Sequence, residues 1–362
     1  MFVPDRELTI GNKTIGLHHP TFFVADIAAN HDGDLARAKE LIHLAAEAGA
    51  DAAKFQHFRA DTIVSDYGFK SLGSQLSHQA KWPKPVAEIY RDAELNPEWL
   101  AALQTCCQEA GIVFFSSPYD FDLVDRIDPY VPAYKIGSGD ITWLEIIEQM
   151  AAKGKPCLIA SGASTLDDVD RAVQTLLRHT SKVALMQCNT NYTASLENLR
   201  HIHLNVLKTF RTLYPEMLLG LSDHTPGHAT VLGAIALEAR IIEKHFTDDT
   251  RRPGPDHAFS MDPQSWREMV DRSRELEAAL GSSVKMIADN ERDTAVLQRR
   301  SIRAGRDLPA GTILERNHLT PLRPCPASAI APHHLPEVVG KQLTRSLRAG
   351  EHIQWSDIKS AS

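Results

Sequence analysis

The chain of 362 residues is 43% hydrophobic, 23% charged and 7% aromatic, the composition of a globular protein with a sizeable core rather than of a disordered or fibrous one. Single cores stop growing at roughly 250–300 residues, so two domains, or one large barrel with an appendage, are expected. Thirty-nine basic residues against 46 acidic ones, a net charge of −7, exclude a broad footprint for nucleic acid; with no secretory apolar run and no stretch near the roughly 20 apolar residues of a spanning helix, a soluble, cytoplasmic protein without a membrane partner is predicted.

From residue 22 to about residue 282, short apolar runs rich in β-branched and aromatic residues alternate with segments of helical period. The runs begin at Phe22 (FFVADIA), Asp51 (DAAKFQ), Ile112 (IVFFSSP), Ala133 (AYKIGS), Pro156 (PCLIASG), Val183 (VALMQCN), Leu218 (LLGLSDH) and Ile241 (IIEKHFT). After the first, Asp34 can cap a helix whose Leu35, Ala38, Leu41, Ile42 and Ala45 share a face, with Gly49 suited to stop it. The second is followed by a connection from His57 to about Asn96, containing Trp82, Pro83 and Pro85, which reads equally as part of a barrel's rim or as a surface excursion. Thr165 and Asp168 make a capping-box start after the fifth run, and Trp266, Met269, Val270, Ser273, Leu276 and Leu280 line one side of the last helix. Eight such units predict an α/β fold, a (β/α)8 TIM barrel over residues 1–282. A doubly wound open sheet competes, weakened by the missing GxGxxG.

Past Gly281 the rhythm stops. Residues 283–362 read as a second domain of short segments separated by Gly and Pro, in which DLPAGTILERNHL from Asp307 is echoed by SLRAGEHIQWSDI from Ser346, 39 residues on. Two copies predict a small pseudo-symmetric β-rich module, not a solenoid. The five cysteines form no CxxC and are odd in number, which argues against a disulfide framework or structural zinc and for reduced packing residues.

Barrels of this class carry their active sites at the C-terminal ends of the strands, and here all eight runs end in polar residues. They are Asp26, Asn30 and His31; Lys54 and Gln56; Ser116 and Ser117; Lys135, Ser138 and Asp140; Ser161; Asn189 and Asn191; Ser222, Asp223 and His224; Lys244 and His245. One such residue is a satisfied core group, whereas packing alone does not explain so many. His224 and His245 close the neighbouring seventh and eighth runs, so their imidazoles can converge on a divalent ion with open positions, suited to polarising a substrate oxygen. Lys54 and Lys135 sit in apolar runs and need an anionic partner, either a structural carboxylate or a phosphate cradled with Ser117, Ser138 and Ser222. A Schiff-base lysine, as in a class I aldolase, is a third reading, although it leaves the histidines without a task. The Pro-Gly-Pro turn after the last run presents Asp256 and His257, either over the barrel mouth or as a plain surface turn.

The motifs ADIAANHDGD, AAKFQ, AYKIGSGDIT, GLSDHT, EKHFTDD, RPGPDHAFSMDP and RRSIRAGRDLPAG resemble the sialic acid synthase family, in order and over nearly the whole chain, including a C-terminal antifreeze-like (SAF) β-clip domain. The resemblance implies a transferase that condenses phosphoenolpyruvate with an N-acylated mannose-type (hexosamine-type) sugar to give a nonulosonic acid and phosphate. It implies that His224 and His245 bind the divalent metal, Mn2+ or Mg2+, and that Lys54, Ser117, Lys135, Ser138 and Ser222 hold phosphoenolpyruvate. Sugar-contacting positions fall on Asp26, Gln56, Asp140, Tyr192 and Asp256, with Asn191 beside them; Glu243 or Asp256 moves protons. Arg323 corresponds to a SAF-domain arginine that reaches the N-acyl group in the partner subunit, implying a domain-swapped homodimer.

The chain departs from the family pattern in ways that bear on the sugar. Asp26 stands where the family has Glu, Asp140 replaces Glu of some members, and Ala160 replaces a serine for which Ser161 can substitute. CNTNYT departs from CTSNYP, and Trp143 lies where Asn is frequent. Two alternatives accompany this reading: a metal-dependent pyruvate aldolase, and a non-catalytic carbohydrate-binding barrel.

Overall fold

The computed structural model describes residues 1–74, 79–80 and 82–361, and divides into two compact units, Met1–Gly281 and Ser282–Ser362. In the first unit the hairpin β1 (Glu7–Ile10) and β2 (Lys13–Gly16) precedes the strands β3 (Phe22–Asp26), β4 (Ala52–His57), β5 (Val113–Pro118), β6 (Tyr134–Ile136), β7 (Cys157–Ala160), β8 (Val183–Cys188), β9 (Leu218–Asp223) and β10 (Ala239–His245). These last eight run parallel in chain order and close into a barrel, β10 pairing with both β9 and β3. Each of the eight apolar runs is thus a barrel strand, and the open-sheet alternative falls because the first and last strands are hydrogen-bonded.

Local signals act where the sequence places them. Asp34 accepts hydrogen bonds from the Ala36 and Arg37 amides at the start of helix Leu35–Glu47, which buries Ala38, Leu41, Ile42 and Ala45. Thr165 and Asp168 form a reciprocal capping box, and Asp262 caps helix Pro263–Leu280. That helix buries Trp266, Met269, Val270 and Ser273, while Leu280, in its last turn, is exposed, contrary to the sequence pattern.

The hairpin is an addition. Its strands are four residues each, joined by a two-residue turn with Gly11 at φ +61°, and Leu8, Ile10 and Ile15 are buried in the barrel's core cluster. A Cβ on Gly11 would stand 2.9 Å from the Val113 side chain at the start of β5, so the turn lies against the N-terminal end of the barrel, away from the strand ends that carry the site.

The long connection after β4 holds the short helices Ala60–Ile63, Asp66–Ser71 and Val86–Asp92 before helix Leu100–Glu109; its residues 75–78 and 81 lie outside the described ones. It forms rim rather than excursion, because Phe58, Ile63, Ile89 and Tyr90 line the cavity described below.

In the second unit, β11 (Ser301–Ala304) pairs antiparallel with β12 (Leu319–Leu322), and β13 (Lys341–Leu343) with β14 (Ile358–Ser360). The sequence echo is a structural two-fold. Leu308 and Leu347 exchange both backbone hydrogen bonds at 2.8 Å, and the bridges Arg303–His352 and Ile313–Gln342 are equivalents under the same 39-residue shift. Gly311 bonds to the Leu343 carbonyl as Gly350 bonds to that of Ala304. The paired residues Ala304 and Leu343, Leu308 and Leu347, and Leu314 and Ile353 all lie in the unit's apolar core, with Ile302, Leu319, Ile330 and Val338 around them.

Candidate active site

Strand register sets the floor of the site. β10 and β3 place His245 beside Asp26, β3 and β4 place Asp26 beside Lys54, β4 and β5 place Gln56 beside Ser117, and β9 and β10 place Ser222 beside Glu243. Their side chains open into a cavity of about 380 Å3, lined also by Lys135, Ser138, Asp140, Tyr192, His224 and Asp256. The alternate residues Ser116, Asp223 and Lys244 turn outward: Ser116 bonds to the Phe55 carbonyl, and Lys244 is held 2.5 Å from Asp223, which also accepts from Thr225 and Thr230.

Lys54 and Lys135 are both buried. Lys54 Nζ lies 2.6 Å from Asp26 Oδ2 and 3.7 Å from Glu243 Oε1, while Lys135 Nζ lies 3.1 Å from the same glutamate oxygen. Burial disfavours charge on Lys54, yet Asp26 and Glu243 outweigh it and hold its pKa above the ordinary lysine range. Burial likewise opposes charge on Asp26, but Lys54 and His245, with the Lys54 and Gln56 hydrogen bonds, bring its carboxyl down to about 2. Lys54 is therefore an ammonium, which disfavours the Schiff-base reading, since an imine needs the neutral amine.

The two histidines stand with ring centroids 5.3 Å apart, beside Tyr192 and Phe259. Burial pushes His224 below its ordinary pKa and His245 down to about 3, so both rings are neutral, the form that binds metal. His224 Nδ1 makes a 2.9 Å hydrogen bond with the Asn189 carbonyl, which fixes its tautomer and leaves Nε2 as the lone-pair nitrogen. His245 Nδ1 is buried without a hydrogen-bond partner, and Nε2 lies 3.6 Å from Asp26 Oδ2. These donors suit a divalent ion completed by water or substrate; no group of three or more His, Cys, Asp or Glu among the described residues is arranged to hold one alone.

Asp256 is placed by ties between the first and last βα loops. Arg37 makes a bidentate pair with Asp248 at 2.6 and 2.8 Å and donates to the Asn30 carbonyl, and Asp32 accepts from Arg252 and contacts His257 Nε2 at 3.0 Å. The Asp256 carboxylate accepts from the Ala29 amide. Burial raises its pKa to about 7, the Ala29 bond opposing and Asp26 adding to the rise. Burial alone raises Asp140 to about 6. His257 itself is fully buried, bonded to Thr247 and Asp32, and serves the turn rather than the cavity.

Two sequence candidates in the barrel, Ser161 and Asn191, lie off the cavity wall. The Ser161 hydroxyl is bonded to the Met186 carbonyl and to Gln187, because it faces β8. Asn191 bonds its amide to Asn189 Oδ1, and its own Oδ1 is buried without a partner. Arg323 is exposed in the second unit at the end of β12. Sequence reasoning missed the aromatic wall of Phe58, Tyr90 and Tyr119. Phe58 and Tyr119 stand directly after β4 and β5, a usable signal; nothing in the sequence marks Ile89 or Tyr90.

Residues 41–285 match the NeuB family and residues 299–359 the SAF domain. The chain is 36% identical to the N,N'-diacetyllegionaminic acid synthase of Legionella pneumophila, over 97% of this chain and 98% of that one. It is 32% identical to the N-acetylneuraminate-9-phosphate synthase of Homo sapiens, over 96% and 95%. Among solved structures, the N-acetylneuraminic acid synthetase of Leptospira borgpetersenii superposes with a TM-score of 0.70 at 26% identity, covering 81% of this chain and 96% of that one. The chain belongs to the NeuB family, carries a SAF domain after its barrel, and is an enzyme of the group that includes the sialic, legionaminic and pseudaminic acid synthases.

Proposed function

We propose that this enzyme condenses phosphoenolpyruvate with the open-chain aldehyde of an N-acylated mannose-type sugar, using a divalent metal, Mn2+ or Mg2+, to give a nonulosonic acid and phosphate. One observation carries the reading: two buried lysines and three serines, Ser117, Ser138 and Ser222, surround a cavity that also holds a neutral histidine pair. The Ser117 hydroxyl and Glu243 Oε2 are buried without hydrogen-bond partners, sites that a polar ligand would satisfy.

Lys54 and Lys135 bind the phosphate and carboxylate of phosphoenolpyruvate and stabilise charge on the departing phosphate. His224 and His245 would hold the divalent metal, which when bound would supply Lewis-acid polarisation of the aldehyde oxygen. C3 of phosphoenolpyruvate forms a bond to the aldehyde carbon, and water adds at C2. The adduct then loses phosphate by C–O cleavage. Asp256, with a pKa of about 7, holds the proton that the aldehyde oxygen takes up. Glu243 anchors both lysines through Oε1 and keeps Oε2 for the proton of the adding water. Asp26, Gln56, Asp140 and Tyr192 surround the sugar.

Arg323, on the second unit, is assigned to the sugar's N-acyl group in a partner's barrel, in a domain-swapped homodimer; the five free cysteines suit a cytoplasmic enzyme. No described helix is long and apolar enough to cross a membrane.

The test is phosphate release from phosphoenolpyruvate with N-acetylmannosamine, mannose and diacetamido-trideoxy hexoses, each with manganese or chelator. Release with one sugar, abolished by chelator, is expected; pyruvate release from a nonulosonate without phosphate would favour an aldolase. Mixing inactive His224→Ala and Arg323→Ala chains should restore activity if the site is shared between subunits. No recovery in a mixed dimer overturns the swap.

A further inference from the structure

The loop after β3 contains a buried polar side chain to which the reaction above gives no part. Asn30 is 0% exposed and does not line the cavity. Its Nδ2 donates twice, at 2.9 Å each, to the Phe246 carbonyl and to Ser260 Oγ, while its Oδ1 is buried without a partner. The Phe246 oxygen can only accept, so the amide nitrogen must face it. Both hydrogens of that nitrogen therefore cross the seam between β3 and β10, the first and last strands of the barrel.

The two acceptors belong to two functional segments. Phe246 directly follows His245, and its own amide donates to the Asp26 carbonyl at 2.9 Å, so Asn30 prolongs the β3–β10 ladder where the strands end. Ser260 accepts the second bond and donates its hydroxyl hydrogen to the Asp256 carbonyl at 2.7 Å. The neighbouring Ala29 amide donates to the Asp256 carboxylate at 3.1 Å, from a loop that turns at Ala28 with φ +46°. Residues 29 and 30 thus hold Asp256 at its side chain and, through Ser260, at its backbone. The Arg37–Asp248 and Arg252–Asp32 pairs join the same loops, but their carboxylates are partly open to water, where ion pairs fix geometry less firmly. We infer that Asn30 is a positioning residue, whose one buried amide keeps the strand end that carries His245 in register with the turn that carries Asp256. The inference rests on the roles proposed above for that histidine and that carboxyl, and assigns the part that holds them together.

The experiment uses the full chain. Asn30→Leu keeps the side chain's volume and removes both bonds, with Asn30→Ala as the second variant should the first fail to fold; Ser260→Ala cuts only the arm to Asp256. Phosphate release is followed at saturating Mn2+ with the fastest acceptor of the panel above, and Mn2+ affinity is measured without substrates by electron paramagnetic resonance. Asn30→Leu should lower kcat about 100-fold and weaken Mn2+ binding about 30-fold. Its KM for phosphoenolpyruvate should stay within about threefold, because Lys54, Ser117, Lys135, Ser138 and Ser222 stand on or after other strands. Ser260→Ala should lower kcat about tenfold and leave Mn2+ affinity within about threefold. Variants that lose only unfolding midpoint, with kcat, KM and Mn2+ affinity as in the parent, overturn the inference and leave the condensation standing. So does a Ser260→Ala chain that loses Mn2+ as strongly as Asn30→Leu. If the parent releases no phosphate with any acceptor, the condensation falls, and the Mn2+ arm, which needs no turnover, still decides the inference. A parent that binds no Mn2+ overturns the metal assignment and the inference together.

Discussion

The two units solve opposite problems. The second buries an apolar core arranged about a local two-fold, and its buried polar side chains among the described residues are Ser301, His318 and Asp357. The first has a larger apolar core but also buries Lys54, Lys135, Asp26, Glu243, His224 and His245 around one cavity, with no symmetry. Burying charge costs several kcal/mol per ion before pairing, and well-packed apolar residues often do as well for stability. The echo in the second unit is the signature of construction, whereas the charges in the first are the signature of chemistry.

The largest expected effect comes from breaking the charge floor. Lys54→Met leaves Asp26 buried with Gln56, His245 and the Ala28 amide but no lysine partner, and should destabilise the barrel by about 3–5 kcal/mol, measured by urea unfolding. Adding Asp26→Asn should recover part of that loss while turnover stays abolished; a single variant as stable as the parent would show that the pair contributes nothing.

A second measurement sharpens the contrast from the other side. Leu308→Ala and Leu347→Ala each remove a core side chain at the local axis and should cost similar amounts, about 2–5 kcal/mol, read by hydrogen exchange of the second unit. Costs differing by more than about 2 kcal/mol would show that the backbone two-fold is not energetic.

The smallest effect is a pH dependence. The folded pKa of Asp256 is raised from 3.8 to about 7, so between these values the folded chain binds more protons than the unfolded one. Its contribution therefore falls as pH rises from about 4 to about 7 and is flat above. Relative to Asp256→Asn, the parent should lose unfolding midpoint between pH 5 and pH 8; parallel profiles would place the carboxyl near its ordinary pKa.

The barrel was legible because its strands are unbroken apolar runs bounded by turn and cap residues, as in FFVADIA and VALMQCN. The β1–β2 hairpin was not, since strands of four residues with two buried positions each are too short for a periodic signal. For the site, strand ends identified the polar rim, but only the register of the closed barrel sends Glu243 and His245 inward and Lys244 outward. Ser161 illustrates the limit: it follows β7 directly, yet its hydroxyl turns to β8. Of the wall, Phe58 and Tyr119 were within reach of the strand-end argument, whereas Ile63, Ile89 and Tyr90 were not, because their short helices touch the cavity through one or two residues with no pattern of their own.

The ties between the first and last loops have a consequence for how activity is lost. β10 and β3 are the one pair of neighbouring barrel strands with no helix connecting them along the chain, so the seam between them is shut by contacts alone. That seam carries His245 beside Asp26, and above it Asp248 on Arg37 and His257 on Asp32. A barrel that unzips there still keeps its other strands paired in order, but it has parted the histidine from the aspartate and released the turn that carries the acid. Function is thus stitched to the one seam of the cylinder that no helix spans along the chain, so opening the ring there ends catalysis even while the other staves stay paired.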